Sequence, residues 1–452
     1  DTTLRDGNKL PFVVLSPEDR VLLARRLARL RIDIIEAGFP ASAPLESECV
    51  SRIAREIKGS WIGALARAIP QDVEAAVHAL QGAEKPYIHV FMPVSAHALS
   101  SVVKMDEGQA VAAVRESVRV AAETGVRTQF TLSQAPQARA EFRDQLVRAA
   151  RDAGAEVISF ADTAGTLLPE DIQGVVRSSL SLFPEGRAPV IGVHCHNDMG
   201  LASANTFAAV QAGAGHVEVT LGGFGERAGN AALEEVAFLI AAHGERLGIS
   251  QNIALEEISA SSRLLDEITG VHTHPNKPII GRAALGRRGL PELDPLFRNL
   301  LQEKTIGARA GAEPSISEEE GPFSLESFNV MSSSHAPSVG IVVITRGETR
   351  ITQSAHGTGP IDSLFKAVDR ALGFSPKLVY FSLYALAAGH DAPAEVTVTT
   401  ELKGVRFHGR HQSKDVVEAG LRAYMKACNA IGKSGIVSGG SDFYVQGEYL
   451  WE

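Results

Sequence analysis

Two patterns in the sequence predict an α/β chain with a (β/α)8 TIM barrel, then a linker subdomain, then a C-terminal α+β domain. In the first part, short β-like runs alternate with amphipathic helical stretches. After residue 322 the order becomes strand, strand, strand, helix, and it occurs twice. The first kind of alternation makes a parallel sheet with crossover helices, and eight such units close into a barrel. A doubly wound sheet usually opens with a glycine-rich first turn, and "DTTLRDG" at residues 1–7 is not one. The expected divisions are 1–270 for the barrel, 271–321 for the linker subdomain, 322–436 for the C-terminal domain and 437–452 for a tail.

The elements follow in order. The first barrel strand would end at Asp1 and lie mostly before it. Ser16 then offers an N-cap, Pro17 suits the first helical position, and Glu18 and Asp19 suit the positive end of the helix dipole. Val21, Leu22, Leu23, Leu27 and Leu30 recur behind them at helical spacing. Strand runs follow at "RIDIIEAGFP", "WIGAL" from Trp61, "YIHVFM" from Tyr87, "TQFTL" from Thr128, "EVISFAD" from Glu156, "PVIGVHCH" from Pro189 and "HVEVT" from His216. Helical segments such as "DQLVRAARDAG" separate them. Residues 286–321, with "GRRGLPELDP" and "GARAGAEPSISEEEG", are rich in Gly, Pro, Ser and charge and read as a linker. Beyond it, "SFNVMSSS", "SVGIVVIT" and "TRITQSAHG" precede the helix "PIDSLFKAVDRAL". Then "LVYFSLYALA", "AEVTVTTEL" and "VRFHGRHQS" precede the helix "KDVVEAGLRAYMKACNAI". Asp362 and Asp415 stand at matching helix starts, as in a pseudo-twofold βββα pair. This domain holds no cluster of candidate catalytic groups. It reads as a dimerisation domain, or as an effector site between its halves.

The formal net charge of −9 disfavours a nucleic-acid partner, which would need a basic face. Small anionic substrates answer to local charge and remain open. Cys49, Cys195 and Cys428 are scattered and form no CxxC, which argues against a disulfide framework or thiolate zinc site and fits a reducing cytoplasm. No apolar run approaches the ~18 residues of a membrane span, and no secretory signal is visible. The chain begins inside a motif without Met, so residues before Asp1 are expected.

The stretch "HCHNDMGLA" at residues 194–202 carries the chemistry. Side chains alternate along a strand, so His194 and His196 point one way and Cys195 the other. A bare HxH also suits ordinary polar residues at a strand end, so other ligands must come from elsewhere. In a barrel, chemistry gathers at the C-terminal ends of the strands. Asp6 follows the first strand, His194 and His196 end the seventh, and Asn230 lies in the loop after the eighth. These strands are neighbours in a closed barrel. One carboxylate, two imidazoles and one amide can converge there, a set that suits Mg²⁺ or Mn²⁺ and is compatible with Zn²⁺.

"DTTLRDG", "EAGFP", "GALARA", "DTAG", "HCHNDMGLA" and "GGFGERAGN" closely resemble the acetyl-CoA-dependent, Claisen-condensing branch of the DRE-TIM metallolyases. "HGTGPIDSLFKAVDRAL", "GHDAPAEVTV" and "GRHQSKDVVEAGLRAY" resemble the regulatory domain of 2-isopropylmalate synthases. The resemblance covers nearly all of residues 1–285 and about 322–430. It implies an acyltransferase that condenses acetyl-CoA with a 2-oxo acid, 2-oxoisovalerate first, in leucine biosynthesis. It also implies a homodimer with leucine as a possible effector at the C-terminal domain, and the cysteine usage above places it in the cytoplasm. Other acceptors are pyruvate, 2-oxoglutarate or a further acidic 2-oxo acid, and a non-catalytic ligand-binding paralogue is a third reading.

The resemblance also implies residue roles. The metal would chelate the keto and carboxylate oxygens of the 2-oxo acid. Arg5 would stabilise developing negative charge, or form a structural ion pair. Thr163 would bind the substrate carboxylate through its hydroxyl, or cap a strand. His89 would line the substrate pocket, or be a buried core histidine. Glu36 would sit near the metal, or hold a barrel hydrogen bond. Gly222, Gly223 and Gly225 would let acetyl-CoA approach the backbone, with Glu226 beside them, or simply make a tight turn. Three departures stand out. Lys9 follows Asn8 where the family commonly reads DGxQ. Ser133, with neutral Gln134 beside it, stands where the family places a catalytic glutamate near the end of the fifth strand. No "SGIH"-type histidine follows "PNKPIIGRAAL", which leaves His272 and His274 as conceivable replacement bases.

Overall fold

The computed structural model describes residues 1–10, 13, 15–184, 188–281, 284, 321–385, 392–434 and 436. The chain divides into two compact units, Asp1–Lys304 and Thr305–Glu452. Residues 285–320 of the expected linker and the expected tail, 437–452, lie outside the described residues.

The first unit is a parallel sheet in strand order β1 (Ile34–Gly38), β2 (Trp61–Arg67), β3 (Pro86–Pro93), β4 (Arg127–Ser133), β5 (Val157–Asp162), β6 (Val190–Cys195) and β7 (His216–Glu218). Helices lie between successive strands, so each strand is covered on its outer side and reads as an apolar run. Every residue of β5 is buried. Asp1 and Thr2 bridge the two edges of this sheet. The Asp1 nitrogen donates to Ile34 O at 2.7 Å, and Glu36 N donates to Asp1 O at 2.9 Å on the β1 side. Thr2 N donates to Val219 O at 2.8 Å, just beyond β7. Asp1 and Thr2 thereby stand between β1 and the end of β7, in the place expected for the first stave, and close the barrel.

Helix α1 (Pro17–Arg29) begins as its sequence demands. Ser16 Oγ accepts from Asp19 N, and the Asp19 carboxylate accepts from Ser16 N, which is a reciprocal capping box. Val21, Leu23, Leu27 and Leu30 are buried against the barrel. Leu22 belongs to the same apolar run but is 43% exposed, because its position falls off the buried stripe of the helix.

The second unit contains both βββα repeats. The first is β8 (Ser324–Met331), β9 (Ser338–Arg346), β10 (Thr349–Gly357) and α2 (Pro360–Leu372). The second is β11 (Lys377–Ala385), β12 (Ala394–Leu402), β13 (Val405–Ser413) and α3 (Val416–Lys433). Each trio forms an antiparallel sheet with its middle strand in the centre. Gly409 marks how closely α3 lies on its sheet, since a Cβ there would fall 1.9 Å from Ala423 O. The rings of Phe365 and Tyr424 stack at 4.0 Å between α2 and α3, and the Tyr424 hydroxyl donates to Asp369 at 2.6 Å. The two helix-start aspartates differ in detail. Asp415 is the N-cap of α3 and accepts from Val417 N and Glu418 N. Asp362 lies inside the first turn of α2 and accepts from Thr358 N.

Candidate metal centre

Three pieces of chain far apart in sequence meet at the C-terminal end of the barrel. Asp6 is placed by a turn on the Thr2 carbonyl, to which Asp6 N donates at 2.8 Å. His194 lies in β6 and His196 just after it, on the same side, while Cys195 turns into the hydrophobic core. The loop after β7 is stitched to the end of β6. Ala231 N donates to Cys195 O, Asn197 N donates to Gly229 O, and His196 forms an antiparallel bridge with Asn230. Asn197 and Asp198, which follow the histidines, serve the surroundings. Asn197 Oδ1 accepts from Ala202 N, and Asp198 pairs with Arg227.

The four expected ligands do converge. His194 Nε2 and His196 Nε2 lie 3.0 Å apart, and Asp6 Oδ2 lies 3.8 and 3.6 Å from them respectively. Adjacent ligands of an octahedral ion bound at about 2.1 Å would lie about 3.0 Å apart. Asp6, His194 and His196 are the one such three-residue group among the described residues. Asn230 Nδ2 donates to Asp6 Oδ2 at 2.8 Å and to Phe224 O at 3.0 Å. Its Oδ1 is buried with no hydrogen-bond partner, an acceptor that a cation would satisfy. Burial and the neighbouring His194 push the His196 pKa down to about 3, so its ring is neutral at pH 7 as a ligand must be. Burial works against ionisation of Asp6, but Arg5, His194 and Lys9 hold its carboxyl well below the usual range. One carboxylate, two imidazole nitrogens and an amide oxygen form a set that fits a divalent ion.

The glycines of the loop have a local reason. A Cβ on Gly225 would fall 2.2 Å from Asn230 Nδ2, so only glycine lets the amide fold back toward Asp6. Gly223 has φ +74°, the left-handed region where glycine carries no Cβ penalty. Glu226 is half-exposed and pairs with Arg227 at 3.3 Å and Lys9 at 3.7 Å. Arg227 Nη2 donates to His196 Nδ1, Thr163 O and the Asp198 carboxylate. Its contact with Nδ1 places the proton of a neutral His196 on Nε2. A cation at Nε2 would require that proton to sit on Nδ1, which could then no longer accept from Arg227.

Arg5 is fixed by two carboxylates, donating from Nε to Glu36 at 2.8 Å and from Nη1 to Asp6 at 2.9 Å. Glu36 also meets His89 Nδ1 at 2.7 Å, and His89 Nε2 meets Thr131 Oγ1 at 2.7 Å. Both His89 nitrogens are thus engaged inside the barrel. Glu36 is buried, which opposes ionisation, yet Arg5 and His89 hold its pKa down at about 2. Thr163 Oγ1 accepts from Gln134 N at 2.9 Å and lies 3.2 Å from Ser133 Oγ. The end of β4 therefore carries a hydroxyl, paired with that of Thr163 just past β5, rather than a carboxylate. Lys9 Nζ lies 2.9 Å from Asp6 Oδ1. His274 Nδ1 accepts from Asn276 N in a local turn. Two groups beside the candidate ligands carry no assignment from the sequence. Glu218, a lone acid within the apolar run "HVEVT", gave the signal of a buried charge, and Arg227 sits inside the quoted "GERAGN".

Comparison with known proteins agrees with this architecture. The HMGL-like family matches residues 1–265, and the LeuA allosteric (dimerisation) domain matches residues 301–432. The 2-isopropylmalate synthase of Pyrococcus furiosus is 34% identical over 490 aligned positions, covering 95% of this chain and 98% of that protein. That of Aquifex aeolicus is 32% identical over 492 positions, covering 95% and 94%. Both alignments are longer than this chain's 452 residues, so the relatives carry internal residues opposite gaps here. Among solved structures, the hydroxymethylglutaryl-CoA lyase of Pseudomonas aeruginosa matches 63% of this chain and 96% of its own, with a TM-score of 0.53 and 20% identity. That level of identity speaks for the barrel fold alone. From its barrel and its C-terminal domain together, the chain belongs to the HMGL-like family and, within it, to the 2-isopropylmalate synthases.

Proposed function

We propose that this chain condenses acetyl-CoA with a 2-oxo acid, 2-oxoisovalerate first, giving 2-isopropylmalate and CoA for leucine biosynthesis in the cytoplasm. The observation that carries this reading is the convergence of Asp6, His194 and His196, with the unpartnered Asn230 Oδ1 beside them. These four residues would hold one divalent ion, Mg²⁺ or Mn²⁺, with Zn²⁺ compatible. When bound, the ion supplies Lewis-acid polarisation of the keto group.

The remaining work falls to the chain's own residues. The acetyl methyl group gives up a proton to a base as its carbon bonds to the keto carbon, the keto oxygen takes up a proton, and water then cleaves the thioester to release the thiol. Arg5, held in a fixed orientation by Glu36 and Asp6, stands beside the carboxylate ligand, where it can donate to the developing alkoxide. The Thr163 hydroxyl already accepts from Gln134 N, which leaves its proton for a substrate carboxylate. Burial of Asp6, His194, His196 and Asn230 keeps bulk water from the centre. Gly223, Gly225 and Glu226 form the rim where acetyl-CoA would lie. His89 and Glu36 would shape the floor of the acceptor pocket.

Thiol release from acetyl-CoA, followed across 2-oxoisovalerate, pyruvate, 2-oxoglutarate and oxaloacetate, tests the reading. The expected result is turnover highest with 2-oxoisovalerate. Preference for an acceptor with a second carboxylate would move the assignment toward a homocitrate-type synthase and direct attention to Lys9. No thiol release with any acceptor would leave a ligand-binding paralogue. The LeuA-type domain further supports a homodimer, and a leucine-type effector would bind at that domain. Light scattering at micromolar concentration should give twice the chain mass, and a monomer would refute the dimer.

A further inference from the structure

We infer that Glu218 is a positioning residue for the metal centre, holding His194 from behind so that its Nε2 faces the ion. The inference rests on the proposed metal site and extends it to the group behind His194. TIM-barrel interiors are normally filled with layers of aliphatic side chains. Here a buried carboxylate lies directly behind a candidate ligand. His194 and Glu218 are register partners on the adjacent parallel strands β6 and β7, so their side chains project side by side into the barrel. His194 Nδ1 lies 3.0 Å from Glu218 Oε2, close enough to pair but without the geometry of a hydrogen bond, and Nδ1 has no other hydrogen-bond partner.

The two oxygens of Glu218 divide their contacts. Oε1 accepts from Gln129 Nε2 of β4 at 2.6 Å and from Ser159 Oγ of β5 at 3.0 Å. Oε2 faces His194. The carboxylate is thereby pinned from two other strands and offers one acceptor to the imidazole. A proton on Nδ1 leaves the Nε2 lone pair toward Asp6 and His196, the tautomer a metal ligand needs. Gln129 continues the chain of contacts through Thr131 and His89 to Glu36 and Arg5. Beneath the centre a ring of polar groups thus runs from Asp6 through Arg5, Glu36, His89, Thr131, Gln129 and Glu218 to His194. A barrel that needed only to fold would have no use for a carboxylate here, since a buried charge costs free energy that apolar packing avoids.

The test is Mn²⁺ binding to the full-length, metal-stripped protein by titration calorimetry, for wild type and Glu218→Gln, with His194→Ala as the non-binding reference. The amide keeps the shape of the side chain, while Oε2 loses its charge or is replaced by a donor. Outer partners of metal-bound histidines typically contribute about 10–100-fold to metal affinity. The expected result is a weakening in that range with the thermal unfolding of the metal-free protein little changed, and turnover recovered at saturating Mn²⁺. A merely structural role would lower stability without such metal rescue. Unchanged affinity in Glu218→Gln, with wild type binding one Mn²⁺ and His194→Ala none, would overturn the positioning role while leaving the metal site intact. Failure of wild type to bind Mn²⁺, or equal binding by His194→Ala, would overturn the metal site and this inference with it. Should Glu218→Gln not fold, Ser159→Ala decides the matter. It removes one anchor of Oε1 and is expected to weaken Mn²⁺ binding several-fold, and unchanged affinity there would refute the role.

Discussion

His194→Ala is expected to lower divalent-metal affinity by more than about a hundredfold and to abolish thiol release at ordinary metal concentrations. The magnitude follows from position. Loss of a group that merely orients a metal-bound histidine costs about 10–100-fold, so loss of the ligand itself should exceed that. His194 contributes one of the two ring nitrogens that approach within 3.0 Å, and its removal leaves Asp6 and His196 without the third corner. The substitution also removes the group facing Glu218 Oε2. Some loss of stability is therefore expected alongside the loss of metal. Metal content and Mn²⁺ titration separate the two effects, because a folded variant that still binds a full equivalent would rule His194 out as a ligand.

Arg5→Gln is expected to act on both catalysis and folding. Arg5 is nearly buried and is the shared partner of Glu36 and Asp6. Removing one partner of a buried ion pair typically costs about 3–5 kcal/mol, because the remaining charge is left uncompensated. The lower end is expected here, since His89 still contacts Glu36 and Lys9 still contacts Asp6. Catalysis should suffer separately. Loss of a donor to a developing oxyanion costs about 10²–10³ in kcat. Urea unfolding reads the first effect, and thiol release at saturating metal, below the temperature where the variant unfolds, reads the second. A destabilised variant with wild-type kcat would show Arg5 to be an ion-pair residue alone.

The same residues show how much of this protein was legible in its sequence. The capping box at Ser16, the alternation of strand and helix, and the two βββα repeats are local patterns, written within a few neighbouring positions, and they appear in the structure where the sequence places them. The shared face of His194 and His196 is equally local, because a strand has a period of two. Exposure of Leu22 was not legible, since an apolar run names the residues available for burial and not the angle at which the helix meets the barrel.

The site itself was half written. Asp6, His194, His196 and Asn230 were readable as candidates from their residue types, from their places at strand ends and from the likeness to a known family. That Asn230 Nδ2 reaches Asp6 across 224 residues depends on closure of the barrel through Asp1 and Thr2. The glycines beside it read as a turn or a cofactor approach. Tertiary packing adds a third reason, the space taken by the Asn230 amide against Gly225. Glu218 went unassigned because its meaning lies in register. Its partner is 24 residues earlier, on the neighbouring strand. Sequence periodicity decides which face a side chain takes. Only the pairing of strands, fixed by the burial of the whole barrel, decides which side chains stand next to one another there.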